Sequence, residues 1–243
     1  MRTIICTAAL LVSIGTSAQS AEEILEKVDQ NMSSENRIFE SSMTIHGKRN
    51  SRTITSRTYA VGDTKSFTEY LSPAREEGTK MLKLEDQLWI YSPSTDRTIQ
   101  ISGHMLRQSV MGSDLSYEDM MEDRKMTELY EASVEGSDEI DGRPVWVLDL
   151  QAKVEDIAYA SRKVWIDKER FIPLKEELYA KSGQLLKRSE MSDVKRIENR
   201  WFPTTIVYKD MMKQGDGTEF TMTNIRFNQE IEEYLFTKAA LKQ

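Results

Sequence analysis

The sequence predicts a mainly β fold: one twisted antiparallel sheet that curls toward a barrel, open or closed. Three observations carry the prediction. From about Arg37 the apolar residues alternate with polar ones at a period of two, in short runs separated by turn residues such as Gly62-Asp63, Ser72-Pro73 and Ser94-Thr95-Asp96. The alternation of strand and long helix that builds a parallel nucleotide-binding sheet is absent. Only two segments break the strand rhythm before the C-terminal tail: a helical stretch at the start and a long insertion near the middle.

The elements follow in order. Residues 1–20, MRTIICTAALLVSIGTSAQS, show one positive residue, an apolar run from about Ile4 to Ile14 and then small residues, the pattern of a removable secretory leader. The apolar part is short for a membrane span. Cleavage after Ser20 places Ala18 and Ser20 at the two small-residue positions, and cleavage after Ala18 is the second choice. Residues 21–243 are then expected to form one domain, with enough chain for a sizeable core.

Next, AEEILEKVDQNM spaces Ile24, Leu25, Val28 and Met32 as one helix face, with Glu22 and Glu23 in the first turn where they complement the helix dipole. Six strand-like runs follow, from RIFESSMTIH to RTIQIS, and seven more from MTELYEASV to TEFTMTNIRF. Between the two sets lies the insertion Ser102 to Lys125, too long for a hairpin loop and rich in Met and Leu. The tail from Glu230 is expected to turn and tuck Leu235, Phe236 and Leu241 onto the body.

Composition narrows the function classes. The chain holds 33 basic and 40 acidic residues, a net charge of −7, and losing Arg2 with the leader makes it more negative. Phosphate backbones and anionic lipid surfaces repel such a chain, so nucleic acid is not an expected partner and no permanent membrane anchor is expected. Cys6 is the single cysteine and belongs to the leader, which leaves the mature chain without disulfides or thiolate ligands.

Catalytic signals are thin. Only His46 and His104 are available as bases or metal ligands, and each reads as a surface residue. Adjacent carboxylates such as Glu176-Glu177 point to opposite faces of a strand and cannot pair as acid and nucleophile. Neither a G-x-S-x-G elbow nor a Gly-rich phosphate loop occurs. No catalytic residue, metal ligand or cofactor is therefore assigned, and the chain is not expected to be an enzyme.

The apolar residues are more informative. In PVWVLDLQAK, Trp146, Leu148, Leu150 and Ala152 share one face, read as inward. In VWIDKERFIPLKEELY, Leu174 and Leu178 share a face with Glu176, an odd neighbour in a sealed core and a tolerable one at a cavity rim. A bulge would reassign these faces. The methionines of the insertion fit either ordinary packing on the sheet or an adaptable apolar surface.

Several ordered strings, MGSDLSYEDM at Met111, DGRPVWVLDLQAK at Asp141, RKVWIDKERFIPLKEELYAKSGQLLK at Arg162, RWFPTTIVY at Arg200 and the closing YLFTKAAL, resemble the outer membrane lipoprotein-sorting protein family, the LolA-like periplasmic carriers. The resemblance runs from about Glu22 to the C-terminus. It implies an unclosed antiparallel barrel covered by an N-terminal helix and the central insertion, enclosing an apolar cavity for acyl chains. It also implies a periplasmic carrier of a lipoprotein or lipid between the inner and outer membranes, with an inner-membrane transporter as a partner. On that reading Trp146, Leu148, Leu150, Val164, Ile166, Leu174 and Leu178 line the sheet side, and Met105, Leu106, Val110, Met111 and Leu115 form the lid. A sheet arginine that holds the lid closed belongs to the family pattern, and no arginine here matches it by motif. Two rival classes stay open: a protein-interaction partner of an inner-membrane lipid exporter without its own cargo, and a hydrolase of envelope lipids or glycans.

Overall fold

The alternating runs become thirteen strands in a computed structural model that describes residues 19–48 and 50–243. The leader assigned to residues 1–20 lies outside the described residues up to residue 18. The strands are β1 (Asn36–His46), β2 (Ser51–Val61), β3 (Lys65–Ser72), β4 (Lys80–Leu84), β5 (Gln87–Ser92), β6 (Arg97–Ile101), β7 (Tyr130–Ile140), β8 (Arg143–Ala152), β9 (Ser161–Asp167), β10 (Pro173–Tyr179), β11 (Leu185–Ile197), β12 (Arg200–Asp210) and β13 (Gly217–Phe227). They form one antiparallel sheet in the order β6-β5-β4-β3-β2-β1-β13-β12-β11-β10-β9-β8-β7. The sheet does not close, so the fold is the unclosed half barrel.

This order decides where the insertion goes. The chain starts at the centre of the sheet, meanders outward to the edge strand β6, and resumes at the opposite edge strand β7 before meandering back to pair β13 with β1. The segment between β6 and β7 must therefore cross from one edge to the other. It does so over the concave face, as two 3-10 turns (Gly103–Arg107 and Val110–Gly112) and two short helices, α2 (Tyr117–Met121) and α3 (Met126–Leu129).

The N-terminal helix α1 (Ala21–Met32) begins at Ser20, whose hydroxyl accepts from the Glu23 amide while the Glu23 carboxylate accepts from the Ser20 amide. This reciprocal cap satisfies two of the helix's free donors. Ile24, Leu25 and Val28 are buried against Leu148, Leu150, Val164 and Ile166. Each such side chain contributes about 1.5–3 kcal/mol on burial. The helix thereby fills the part of the concave face nearest β7 to β9.

One expected element differs. The run MTELYEASV reads as strand from its start, whereas Met126–Leu129 is helical, with β7 beginning at Tyr130 and continuing to Ile140. The cause is tertiary: the Asp29 carboxylate of α1 accepts hydrogen bonds from the amides of Met126 and Thr127 at 3.0 and 3.1 Å. An N-terminal cap delivered from 97 residues away leaves no local signature.

The tail packs as expected. Phe236, Ala240 and Leu241 are buried with Phe67, Leu82 and Trp89, and Leu235 packs against the same group. Strand alternation places these residues of β3 to β5 on the convex face, opposite Ser66, Thr68 and Lys83.

Candidate functional site

Between the insertion and the centre of the concave face lies a cavity of about 1410 Å³. Its floor comes from alternate residues of the central strands: Phe39 and Met43 of β1, Ile54 of β2, Phe202, Ile206 and Tyr208 of β12, and Phe220 and Met222 of β13. Their register is continuous, since Met43 lies opposite Ile54 on one side and Phe220 on the other, and Phe220 lies opposite Ile206. Ser56, Thr58, Thr68 and Ser189 fill the gaps between them with small polar groups. From the insertion, Leu106, Leu115, Met120 and Met121 cover it, and residues of α1, α3 and 156–159 also line it.

Polar contacts hold the insertion to this wall. Lys187 of β11 donates to the Asp119 carboxylate of α2, which also accepts from the Ser116 amide at 2.6 Å, the Ser116 hydroxyl and Tyr159. Burial works to raise the Asp119 carboxyl, and the Lys187 ammonium with these donors more than offsets it, so the group lies below the ordinary carboxylate range. Just beyond α2, Asp123 accepts from Lys83 of β4 at 2.8 Å and from Arg37 of β1 at 2.9 Å. Lys83 also donates to the Met121 carbonyl at 2.6 Å. Arg52 of β2 donates to the Met111 carbonyl, and Asp114 is tied to Thr218 and to the Asp210 amide. The cover is thus fastened to β1, β2, β4, β11, β12 and β13, mostly through charge-assisted bonds.

The inner wall carries charge as well. Arg162 of β9, half-buried, and Glu176 of β10, buried, lie 3.7 Å apart. Burial pushes the Glu176 carboxyl up, and Arg162 opposes it only in part. Burial likewise raises the Tyr208 hydroxyl. Among the described residues, no cluster of His, Cys, Asp and Glu is arranged to hold a metal ion.

The residues named from the sequence divide into groups. Leu178 lines the cavity, and so do Leu106 and Leu115 of the insertion. Met105 and Met111 pack with Leu115 against Met43 and Ile54, and Val110 is fully buried, without lining the space. Leu148, Leu150, Val164 and Ile166 sit beneath α1 with Trp146 at their margin, away from the cavity, because the helix occupies that part of the concave face. Leu174 faces the convex side with Val145, Val147, Trp165 and Ile172. The sheet shifts register between Pro173 and Lys175, and this bulge turns Leu174 away from the face of Glu176 and Leu178.

The floor itself is not evident from the sequence. Phe39, Ser41 and Met43 alternate in RIFESSMTIH, as do Phe202, Thr204, Ile206 and Tyr208 in the run after Trp201, and that period is the available signal. Serines and threonines interleaved on the same face dilute it.

Three solved structures share this architecture. A DUF1329 family protein from Desulfovibrio piger superposes with a TM-score of 0.81 at 23% identity, covering 91% of this chain and 97% of the other. A protein described as a putative outer membrane lipoprotein-sorting protein domain, from Vibrio parahaemolyticus, gives 0.80 at 26% identity, with coverage of 92% and 98%. A LolA superfamily protein from Nitrosomonas europaea gives 0.76 at 24% identity, with coverage of 92% and 100%. No curated protein matches. A family model with the description "uncharacterized protein" matches residues 62–243. The chain therefore belongs to that family, and with its open thirteen-stranded sheet and covered concave face it is LolA-like, a structural relative of the outer membrane lipoprotein-sorting proteins.

Proposed function

We propose that this protein is a periplasmic carrier that shields the acyl chains of a lipoprotein or lipid while they pass between the inner and outer membranes. The observation that carries the reading is the cavity beneath the insertion: its 1410 Å³ exceeds the roughly 300–1,000 Å³ of ordinary small-molecule sites, and the apolar part of its floor is Phe, Met, Ile and Tyr. At about 0.8 kcal/mol per buried methylene, a long acyl chain in water is disfavoured by on the order of 10 kcal/mol. A carrier offsets that only with an enclosure of this kind.

Loading requires the cover to move. Within the insertion, Gly103–Arg107 and α2 have no fully buried residue, and α2 is tied to the wall by Lys187 and Lys83, so these parts open without unfolding the sheet while Val110 and Leu115 stay packed. An inner-membrane transporter is the donor this reading calls for, and no catalytic step is needed. The leader sequence and the LolA-like fold support the periplasmic placement.

Native mass spectrometry of protein purified gently from its own cell envelope tests the proposal. Bound lipid or lipoprotein, lost on mild delipidation and regained from envelope extract, is the expected result. Protein that is consistently free of lipid and takes up none from the extract would sink it.

A further inference from the structure

Buried charges normally close onto a partner, as Lys83 does onto Asp123 at 2.8 Å. Arg162 and Glu176 do not. Their ion pair stands at 3.7 Å, beyond hydrogen-bonding distance, although both residues project from the concave face of neighbouring strands. Arg162 is fixed from behind: its Nε donates to the Tyr130 hydroxyl at 2.8 Å, and its guanidinium stacks 5.0 Å from the Tyr130 ring centre. Among the described residues this is the sole hydrogen bond of the Arg162 side chain, and the Glu176 carboxyl has none. Both groups border the cavity.

A guanidinium fixed from behind, with its terminal nitrogens unengaged at the cavity, is well suited to receiving two oxygens of one ligand group. Of the neighbouring cations, Lys187 is committed to Asp119, and Lys83 and Arg37 to Asp123. Resting on the carrier reading above, we infer that Arg162 and Glu176 form a head-group subsite within the cavity, which selects an amphiphile ending in an oxyanion, a carboxylate or a lipid phosphate. The Arg162 terminal nitrogens donate to that group in a fork. Glu176, which burial holds toward its neutral form, donates a further hydrogen bond. The chain then lies along Phe202, Ile206 and Met222.

Matched fluorescent probes test this. Binding of a pyrene-labelled long-chain fatty acid is compared with that of the corresponding alcohol, and lysophosphatidic acid is compared with the monoacylglycerol of the same chain as competitors. The wild-type protein is expected to prefer at least one acidic member of the two pairs by about tenfold or more. Which pair shows it separates carboxylate from phosphate. Arg162→Gln is expected to erase the preference while leaving affinity for the neutral partner within about twofold. Should Arg162→Gln fail to fold, Arg162→Lys keeps the charge without the fork and is expected to lose most of the preference. Equal binding of acidic and neutral partners, or a preference untouched by the Arg162 variant that folds, overturns the subsite and leaves the carrier reading standing. Binding of none of the four overturns both.

Discussion

Leu174 and Leu178 lie four residues apart on one strand and face opposite sides of the sheet, Leu174 buried in the convex cluster and Leu178 on the cavity wall. Their substitutions should separate stability from ligand binding. Leu174→Ala is expected to lower unfolding free energy by about 2–5 kcal/mol in urea titration, with affinity for a hydrophobic probe unchanged. Leu178→Ala should weaken the probe roughly fivefold, because the shortened side chain no longer covers the bound probe, a change of about 1 kcal/mol. Equal effects of both changes on probe affinity would contradict the assigned faces.

The bond from Lys187 to Asp119 should make the cover sensitive to acid. The folded Asp119 carboxyl lies below its unfolded value, so its contribution is present above about pH 4 and is lost as pH falls through the folded value. Protection of the Tyr117–Met121 amides against hydrogen exchange, relative to the intrinsic rate at each pH, should fall in that acidic range. Lys187→Met should produce the faster exchange already at neutral pH, by about tenfold to a hundredfold, corresponding to about 1–3 kcal/mol. Identical exchange in wild type and variant at pH 7 would mean that other ties alone hold α2.

Glu176 should behave with the opposite sign. Its carboxyl is raised in the folded state, so it contributes stability below the unfolded value near pH 4.3 and loses that contribution as pH rises through the folded value. Glu176→Gln, neutral at every pH, is expected to raise the neutral-pH melting temperature by a few degrees. That gain should fade in acid, where the wild-type carboxyl is protonated in both states. A variant less stable than wild type at neutral pH would show that the attraction of Arg162 outweighs burial.

Much of the fold is legible in the sequence because period-two alternation and turn residues are local signals. Each of the thirteen strands corresponds to a separate run, and α1 to the periodicity of Ile24, Leu25 and Val28. The site is much less legible. Alternation shows that Leu148 and Leu150 share a face, and it cannot show that α1 rather than the cavity covers that face. The bulge before Lys175 has no Gly, and Pro173 beside it fits a strand start as well as a bulge, so the side on which Leu174 falls depends on pairing with β9. Met120 and Met121 are visible as apolar residues, and their position over the wall follows only once β6 and β7 are known to be opposite edges.

The Ser20 cap reverses the order of the two cleavage sites expected from the sequence. A cut after Ser20 removes the hydroxyl that caps α1, whereas a cut after Ala18 keeps it, a difference of about 0.5–2 kcal/mol. Intact mass measurement of the protein exported from its own cells is expected to place the mature N-terminus at Gln19. A terminus at Ala21 would refute this.

Asp29 joins the two helical pieces that cover the sheet, and its loss should loosen one without the other. Its carboxylate takes the Met126 and Thr127 amides and the Thr127 hydroxyl, the last at 2.7 Å. Asp29→Ala leaves these donors unpaired in a partly buried position and is expected to cost about 1–3 kcal/mol in global stability. Exchange of the amides from Lys125 to Leu129 should accelerate strongly, while Ile24 to Val28, anchored by Leu148 and Leu150, should keep their protection. Asp29→Asn, which retains one acceptor oxygen, should fall between wild type and Asp29→Ala. Because α3 hands the chain from the cover to β7, a looser α3 should also speed uptake of a hydrophobic probe in stopped-flow mixing. Unchanged uptake alongside faster exchange would place the moving part of the cover before Lys125, within the segment tied by Asp119 and Asp123.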